Sequence, residues 1–138
     1  MLAGCTATPY KERNLDTTSN FKLPEKGKSG VYVYRYKTFL GRAIGVDFKI
    51  KGVPEATLNV GEYIYFEVEP GNYEYLSSGG LIQKYIPVNF EEDQNYFFRV
   101  FLLFQSDTAV LVGDQKEIED AKNDILSRKY ERRLLDKT

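Results

Sequence analysis

The chain has no histidine and a single cysteine. Without histidine there is no Ser-His-Asp or Cys-His relay and no His-rich zinc site, and one thiol builds neither a cysteine cluster nor an intrachain disulfide. Charge of one sign is also missing: Lys+Arg 19 against Asp+Glu 20 leave a formal charge of -1. Neither self-repelling disorder nor wholesale polyanion binding is indicated, so no nucleic-acid partner is expected. No run reaches the roughly 18 to 20 apolar residues of a membrane-spanning helix. The glycines are dispersed and lack a following Lys-Ser/Thr, which excludes a phosphate-binding loop. No cofactor and no metal is expected. What remains is 138 residues, 42% hydrophobic, enough for one domain with one core.

The one cysteine is in Leu2-Ala3-Gly4-Cys5. This resembles the lipobox at which bacteria attach a diacylglyceryl group to cysteine, with small residues giving the signal peptidase access to the peptide bond. Residues 1–5 thus read as a remnant lipobox with Cys5 as the lipidation site, its sulfur held as a thioether. Residues 6–28 carry Thr, Ser, Asn, Pro, Lys and Glu without apolar periodicity, the texture of a polar tether. Any membrane attachment would then run through lipid on Cys5. Thr6 rather than Asp follows the cysteine, which by the sorting rule of enteric bacteria points to the outer membrane, facing the periplasm.

Residues 29–113 read as a β-sandwich domain. β-Branched and aromatic residues alternate between turn signals at short intervals, and 11 Tyr with 9 Phe contribute heavily. Ile44, Val46, Phe48 and Ile50 alternate with Gly45, Asp47 and Lys49; Ile64, Phe66 and Val68 alternate with Tyr63, Tyr65, Glu67 and Glu69. Tyr96, Phe98, Val100, Leu102 and Phe104 form the longest apolar face, and Phe97, Arg99, Phe101 and Leu103 opposite mark a central strand covered on both sides. The predicted core holds Ile44, Val46, Phe48, Ile64, Phe66, Val68, Phe98, Val100 and Leu102. Pro70-Gly71 suits a type II turn and predicts a hairpin from Tyr63 to Ser77. Tyr73 and Tyr75 are then expected to point into the core. Lys51-Gly52, Asn59-Val60-Gly61 and Ser78-Gly79-Gly80 are further turns. Pro87, lacking an amide donor, belongs at an edge or bulge of the strand Leu81 to Phe90. The expected fold is mainly β: about seven mostly antiparallel strands in a two-layer sandwich.

From Asp114 the period changes to 3.6. Asp114 can cap, Glu117 stands three residues on, and Ile118, Ala121, Ile125 and Leu126 follow at helical spacing. Acidic residues come early and Arg128, Lys129, Arg132, Arg133 and Lys137 late, the order the helix dipole favours. This predicts a C-terminal amphipathic helix over 114–138.

Phe21-Lys22-Leu23-Pro24, Gly27-Lys28-Ser29-Gly30-Val31-Tyr32-Val33-Tyr34-Arg35, Val46-Asp47-Phe48, Val60-Gly61-Glu62-Tyr63, Glu67-Val68-Glu69-Pro70-Gly71-Asn72-Tyr73 and Gln94-Asn95-Tyr96-Phe97-Phe98-Arg99-Val100 occur in that order. Together they resemble an uncharacterised family of bacterial lipoproteins, a domain of unknown function, over Phe21 to Gly113. Where the family's late strand commonly starts Gly-Lys, this chain has Asp93-Gln94-Asn95. The resemblance implies an exported lipoprotein with a sandwich of transthyretin or immunoglobulin kind, and implies no activity.

Two functional readings remain. Tyr32, Tyr34 and Tyr36 share one face of their strand, and Tyr63 and Tyr65 lie opposite the apolar Ile64-Phe66-Val68 set, which places the latter pair outside as a binding surface for an envelope protein or a glycan. The chain is then a lipid-anchored, non-enzymatic binding or assembly module of the cell envelope, with no catalytic residues and an oligomeric state left open. The alternative is a periplasmic carbohydrate-binding or hydrolytic domain that uses such tyrosines with the carboxylates Asp47, Glu67 and Glu69 of the wet strand faces.

Overall fold

The structure is a computed structural model that describes residues 10–11, 21–35, 45–78, 83–103, 106–127 and 131–132. Cys5, Tyr36, Ile44 and Phe104 lie outside the described residues. In chain order the elements are strands β1 (Tyr10–Lys11), β2 (Ser29–Arg35), β3 (Val46–Phe48), β4 (Ala56–Leu58), β5 (Glu62–Val68), β6 (Gly71–Ser78), β7 (Gln83–Phe90), β8 (Gln94–Leu103) and β9 (Ser106–Val112), helix α1 (Gln115–Ser127), and strand β10 (Glu131–Arg132). Among the described residues the fold is mainly β, with several sheets and one C-terminal helix.

The main sheet runs β1-β5-β2-β8-β9, and β10 also joins β5. As the two-faced pattern of β8 requires, that strand is interior, between β2 and β9. One feature departs from an all-antiparallel sandwich: β2 and β8 pair in parallel, with Tyr32 opposite Phe97 and Tyr34 opposite Arg99. The chain reaches this pairing only after building the other layer, so a long connection replaces a hairpin.

The opposing layer consists of β3 with β4 and β6 with β7. These pairs are stitched by a bridge between Ile50 and Tyr75, where Lys51 N donates to Glu74 O at 3.1 Å and Leu76 N donates to Lys49 O at 2.9 Å. Because Glu74 turns its carbonyl to Lys51, its partner Pro87 turns its amide-less nitrogen to the outer edge of β7. The edge placement expected of Pro87 is thereby met. Ser77 ties the layers together: its Oγ donates to Ala109 O at 2.8 Å and accepts from Ala109 N at 3.1 Å.

Pro70-Gly71 does not close a hairpin. β5 pairs with β2 and β6 pairs with β7, so the chain changes layers here, and Gly71 has φ 144° instead of the roughly +80° of a type II turn. The expected hairpin Tyr63 to Ser77 is thus a corner between sheets.

Val46, Phe48, Ile64, Phe66, Val68, Phe98 and Val100 are buried together between the layers, with Leu102 packed against them. Tyr75 meets Phe98 edge-on at 4.9 Å between centroids and Tyr73 meets Phe90 at 5.3 Å, so both tyrosines point inward as expected. Helix α1 begins as predicted, with Glu117 N donating to Asp114 Oδ1 at 2.8 Å. It ends at Ser127, however, and Glu131–Arg132 pairs in parallel with Glu62 and Tyr63. The helix expected over 114–138 is accordingly shorter.

The segment expected to be a tether is in part built into the fold. Tyr10 and Lys11 pair with Val68 and Glu67. Phe21 packs on Tyr32 and Phe97 at 5.2 and 5.8 Å between ring centroids. Asn95 Nδ2 donates to the carbonyls of Phe21 and Lys22 at 3.2 and 3.0 Å, Gly27 N donates to Asp93 Oδ1 at 2.8 Å, and Lys28 pairs with Glu69. Gly30 leaves room for this clamp, since a Cβ there would lie 2.1 Å from Asn95 Oδ1.

Two stability outcomes follow from this packing. Phe66→Ala is expected to cost about 3 to 5 kcal/mol in urea unfolding, the range for truncating a buried phenylalanine. Gly30→Ala should displace Asn95 and speed amide exchange in residues 22–28 while β6 and β7 keep their protection.

Candidate functional site

The two tyrosines expected outside are inside. Tyr63 is 7% and Tyr65 1% exposed, in a second apolar cluster with Tyr32, Tyr34, Phe97, Val112, Ala121 and Ile125. The cause is α1: Ala121 and Ile125 sit directly in this cluster, Ile118 packs against it, and together they cover the sheet face that the tyrosines line. The Tyr32 ring stacks on Phe97 at 5.0 Å with planes 9° apart and lies 4.5 Å from Tyr65. These rings form the helix-sheet interface, and the expected exposed surface at Tyr63 and Tyr65 is corrected to buried core.

Glu67 is corrected likewise. Expected on a wet face, it is fully buried, and its Oε2 accepts from the Tyr65 hydroxyl at 2.6 Å and from Glu25 N at 3.1 Å. A carboxylate held this way fixes the approach segment onto the sheet. Glu69 and Asp47 are exposed, as expected. Asp47 Oδ1 accepts from Thr57 Oγ1 at 2.6 Å, and Asp47 N donates to Asp107 Oδ2 at 3.3 Å. Burial pushes the Asp107 carboxyl above the ordinary carboxylate range, the charges of Asp47 and Glu55 push the same way, and the Asp47 amide and Arg35 oppose them. Arg35 is fully buried, with Nη1 donating to Leu58 O at 3.0 Å.

The concave surface that carries converging polar groups lies beside the helix. Tyr34 and Arg99, neighbours across the parallel β2–β8 pair, form one wall, and Glu117, Asp120, Asn123 and Asp124 of α1 form the other. The cleft between them holds about 310 Å³. Its acids recur at three- and four-residue spacing, about 4.5 and 6 Å apart along the axis, so they project on one flank. Lys116 reaches Asp120 from the exposed side at 3.8 Å. The reading of these acids as dipole partners missed the cleft; the same three-four spacing, set beside Tyr34 and Arg99 on one face of their strands, was the available signal.

Chemically, the cleft offers carboxylates on one side and a guanidinium and a phenol on the other. Acid-base cleavage of a glycosidic bond needs two carboxyls flanking the bond; here every carboxylate rises from the same wall. The arrangement suits holding a polar group by charge and hydrogen bonds. A second, shallower groove of about 590 Å³ is lined by Lys51, Gly52, Asn72, Tyr73, Glu74 and Pro87 on the opposing layer. Among the described residues no cluster of His, Cys, Asp or Glu could hold a metal ion.

Two measurements check this electrostatic picture. Tyr65→Phe removes a buried hydrogen bond to a carboxylate and should cost about 1.5 to 3 kcal/mol in chemical unfolding. The raised carboxyl of folded Asp107 disfavours its charged form, so its contribution to stability falls as pH rises from the unfolded value near about 3.9 through the higher folded value. Asp107→Asn is expected to stabilise the protein at pH about 7, an advantage that disappears below both values at pH about 3.

Comparison with known proteins agrees with the extent of this folded unit. The model of a family described as "Protein of unknown function (DUF2846)" matches residues 25–114. An uncharacterized protein of Haemophilus influenzae is 28% identical over 107 residues, which make up 75% of this chain and 62% of that protein. The chain thus spans less than two thirds of that relative's length. With the match running from the clamped segment before β2 to the cap of α1, the chain belongs to this family of unknown function.

Proposed function

We propose that the chain is a lipid-anchored, non-enzymatic module of the bacterial cell envelope that acts by contact, binding or assembling an envelope protein or glycan. The observation that carries the contact reading is the cleft between α1 and the sheet. Arg99 and Tyr34 face Glu117, Asp120 and Asp124, which gives two walls of hydrogen-bonding and charged groups but no acid and base on opposite sides of a bond. A ligand with paired donor and acceptor groups, such as a peptide segment of a partner, fits both walls.

The anchor rests on Leu2-Ala3-Gly4-Cys5 and on the resemblance of the strand motifs to envelope lipoproteins. Thr6 after the cysteine favours the outer membrane, with the domain in the periplasm. Two packed layers support a sandwich of transthyretin or immunoglobulin kind, with the parallel β2–β8 pair as its distinguishing feature.

A carbohydrate-binding reading draws on the other groove. Tyr73 and Pro87 supply apolar surface there, and Asn72 with the ion pair of Lys51 and Glu74, 2.7 Å apart, supplies polar groups. A hydrolytic role would need carboxylates on two walls.

Photo-crosslinking in intact cells separates these readings. A photoreactive residue at Asp120 should trap a discrete envelope partner, and Arg99→Glu should abolish the adduct. If the adduct forms instead from Asn72, or if the purified protein hydrolyses glycans with loss of activity in Asp47→Asn, the contact reading at the cleft fails. Mass spectrometry of the N-terminal peptide from the native host is expected to find diacylglyceryl on Cys5; a free thiol there would remove the anchor.

A further inference from the structure

The cleft beside α1 carries opposite charges on its two walls. The helix contributes three carboxylates, Glu117, Asp120 and Asp124, and the sheet contributes one guanidinium, Arg99. Carboxylates three and four residues apart repel one another along a helix flank. Asp124 stands in the last turn of α1, where the negative end of the helix dipole disfavours an acid and where no basic residue offsets it. The two lysines of the helix do little for this flank: Lys116 approaches Asp120 at 3.8 Å from the exposed side, and Lys122 turns to Glu119 at 3.6 Å and to the rings of Phe21 and Phe97. A row of acids that costs the helix stability is understandable where a ligand brings further positive charge to it.

The opposite wall is built for a carboxylate. Arg99 is half-buried on the sheet face that α1 covers, and Tyr34, its cross-strand neighbour in the parallel β2–β8 pair, is buried there with its side chain lining the cleft. Partial withdrawal from water strengthens a charge interaction over its fully exposed counterpart. The guanidinium presents five donors in a fixed fork, so it serves an acceptor of the protein and a carboxylate of a ligand together, and the Tyr34 hydroxyl adds a donor beside it.

Size narrows the ligand further. The cleft holds about 310 Å³, which is about ten water volumes and so takes on the order of ten non-hydrogen atoms. One long amino-acid unit fills such a space. A ligand bearing only negative charge meets the three acids, one bearing only positive charge meets Arg99, and an uncharged sugar satisfies neither wall.

We infer that the cleft captures a single basic amino-acid unit with a free carboxylate: the carboxylate on Arg99 and Tyr34, the ammonium on Glu117, Asp120 and Asp124. This rests on the contact reading of the cleft and narrows the partner's segment to its end, a peptide with a C-terminal lysine-type residue. A free diamino acid has the same chemistry.

Titration calorimetry of the full chain with Gly-Gly-Lys, its C-terminal amide, Gly-Gly-norleucine and free lysine tests this. Gly-Gly-Lys should bind, and removing either its carboxylate charge or its side-chain ammonium should weaken binding by about tenfold or more, the loss of one charge-assisted contact. Arg99→Gln should weaken Gly-Gly-Lys to the level of its amide and leave the amide unchanged. Asp120→Asn combined with Asp124→Asn should abolish the preference for lysine over norleucine. Those matched losses mark direct contacts, which a merely structural role of the same side chains does not produce, and the ligand series on the unaltered protein stands even where a variant fails to fold. Tighter binding of Gly-Gly-Lys than of lysine assigns a peptide end; equal binding assigns the free amino acid. An amide or norleucine peptide that binds as well as Gly-Gly-Lys overturns the inference. If none of these ligands binds at millimolar concentration while the photo-adduct from Asp120 still forms, the inference falls and the contact reading stands; absence of both removes the contact reading as well.

Discussion

Strand β8 carries apolar side chains on both faces, and neither face can be left in water. Phe98 and Val100 point to the opposing sheet; Phe97, next to Phe98 in sequence, points to α1. Burying each such side chain is worth about 1.5 to 3 kcal/mol, so covering only one face would forfeit a large part of the stability of a domain this small. The neighbouring strands follow the same rule: Val31, Val33, Ile64 and Phe66 face one way, and Tyr32, Tyr34, Tyr63 and Tyr65 the other. The helix is therefore a third layer that completes the core.

This constraint also determines where recognition can occur. Covering the tyrosines removes the aromatic surface that the alternating pattern offers, and in its place the flank of α1 creates a cleft against Tyr34 and Arg99. The approach segment contributes to the same cover through Phe21, held in place by Asn95 and by the buried Glu67. The polar groups on this face thus have a structural task, tying an irregular segment to a sheet, before any ligand is considered.

Much of the fold was legible because strand alternation is a strict two-residue code: Val46, Phe48, Ile64, Phe66, Val68, Phe98 and Val100 are core as their spacing requires. The code names two faces of a strand without saying which is wet when the second holds tyrosine. Tyr63 and Tyr65 read as exposed for that reason, and Glu67, on the same face, with them. Pro70-Gly71 signals a reversal but carries no information on whether the chain stays in its sheet, and here it leaves. The end of α1 was hidden too, since the basic run after Ser127 is compatible with helix, and a two-residue pairing with β5 depends on a strand far away in sequence. The cleft joins residues from β2, β8 and α1, and no local pattern contains all three.

Native-state hydrogen exchange tests most directly whether α1 is a layer of the core. If it is, the amides of Ala121 and Ile125 open only with the amides of β8, at the free energy of global unfolding and with the same denaturant dependence. If the helix amides exchange through a separate, low-energy opening while β8 stays protected, the sheet does not need its cover and the account is contradicted.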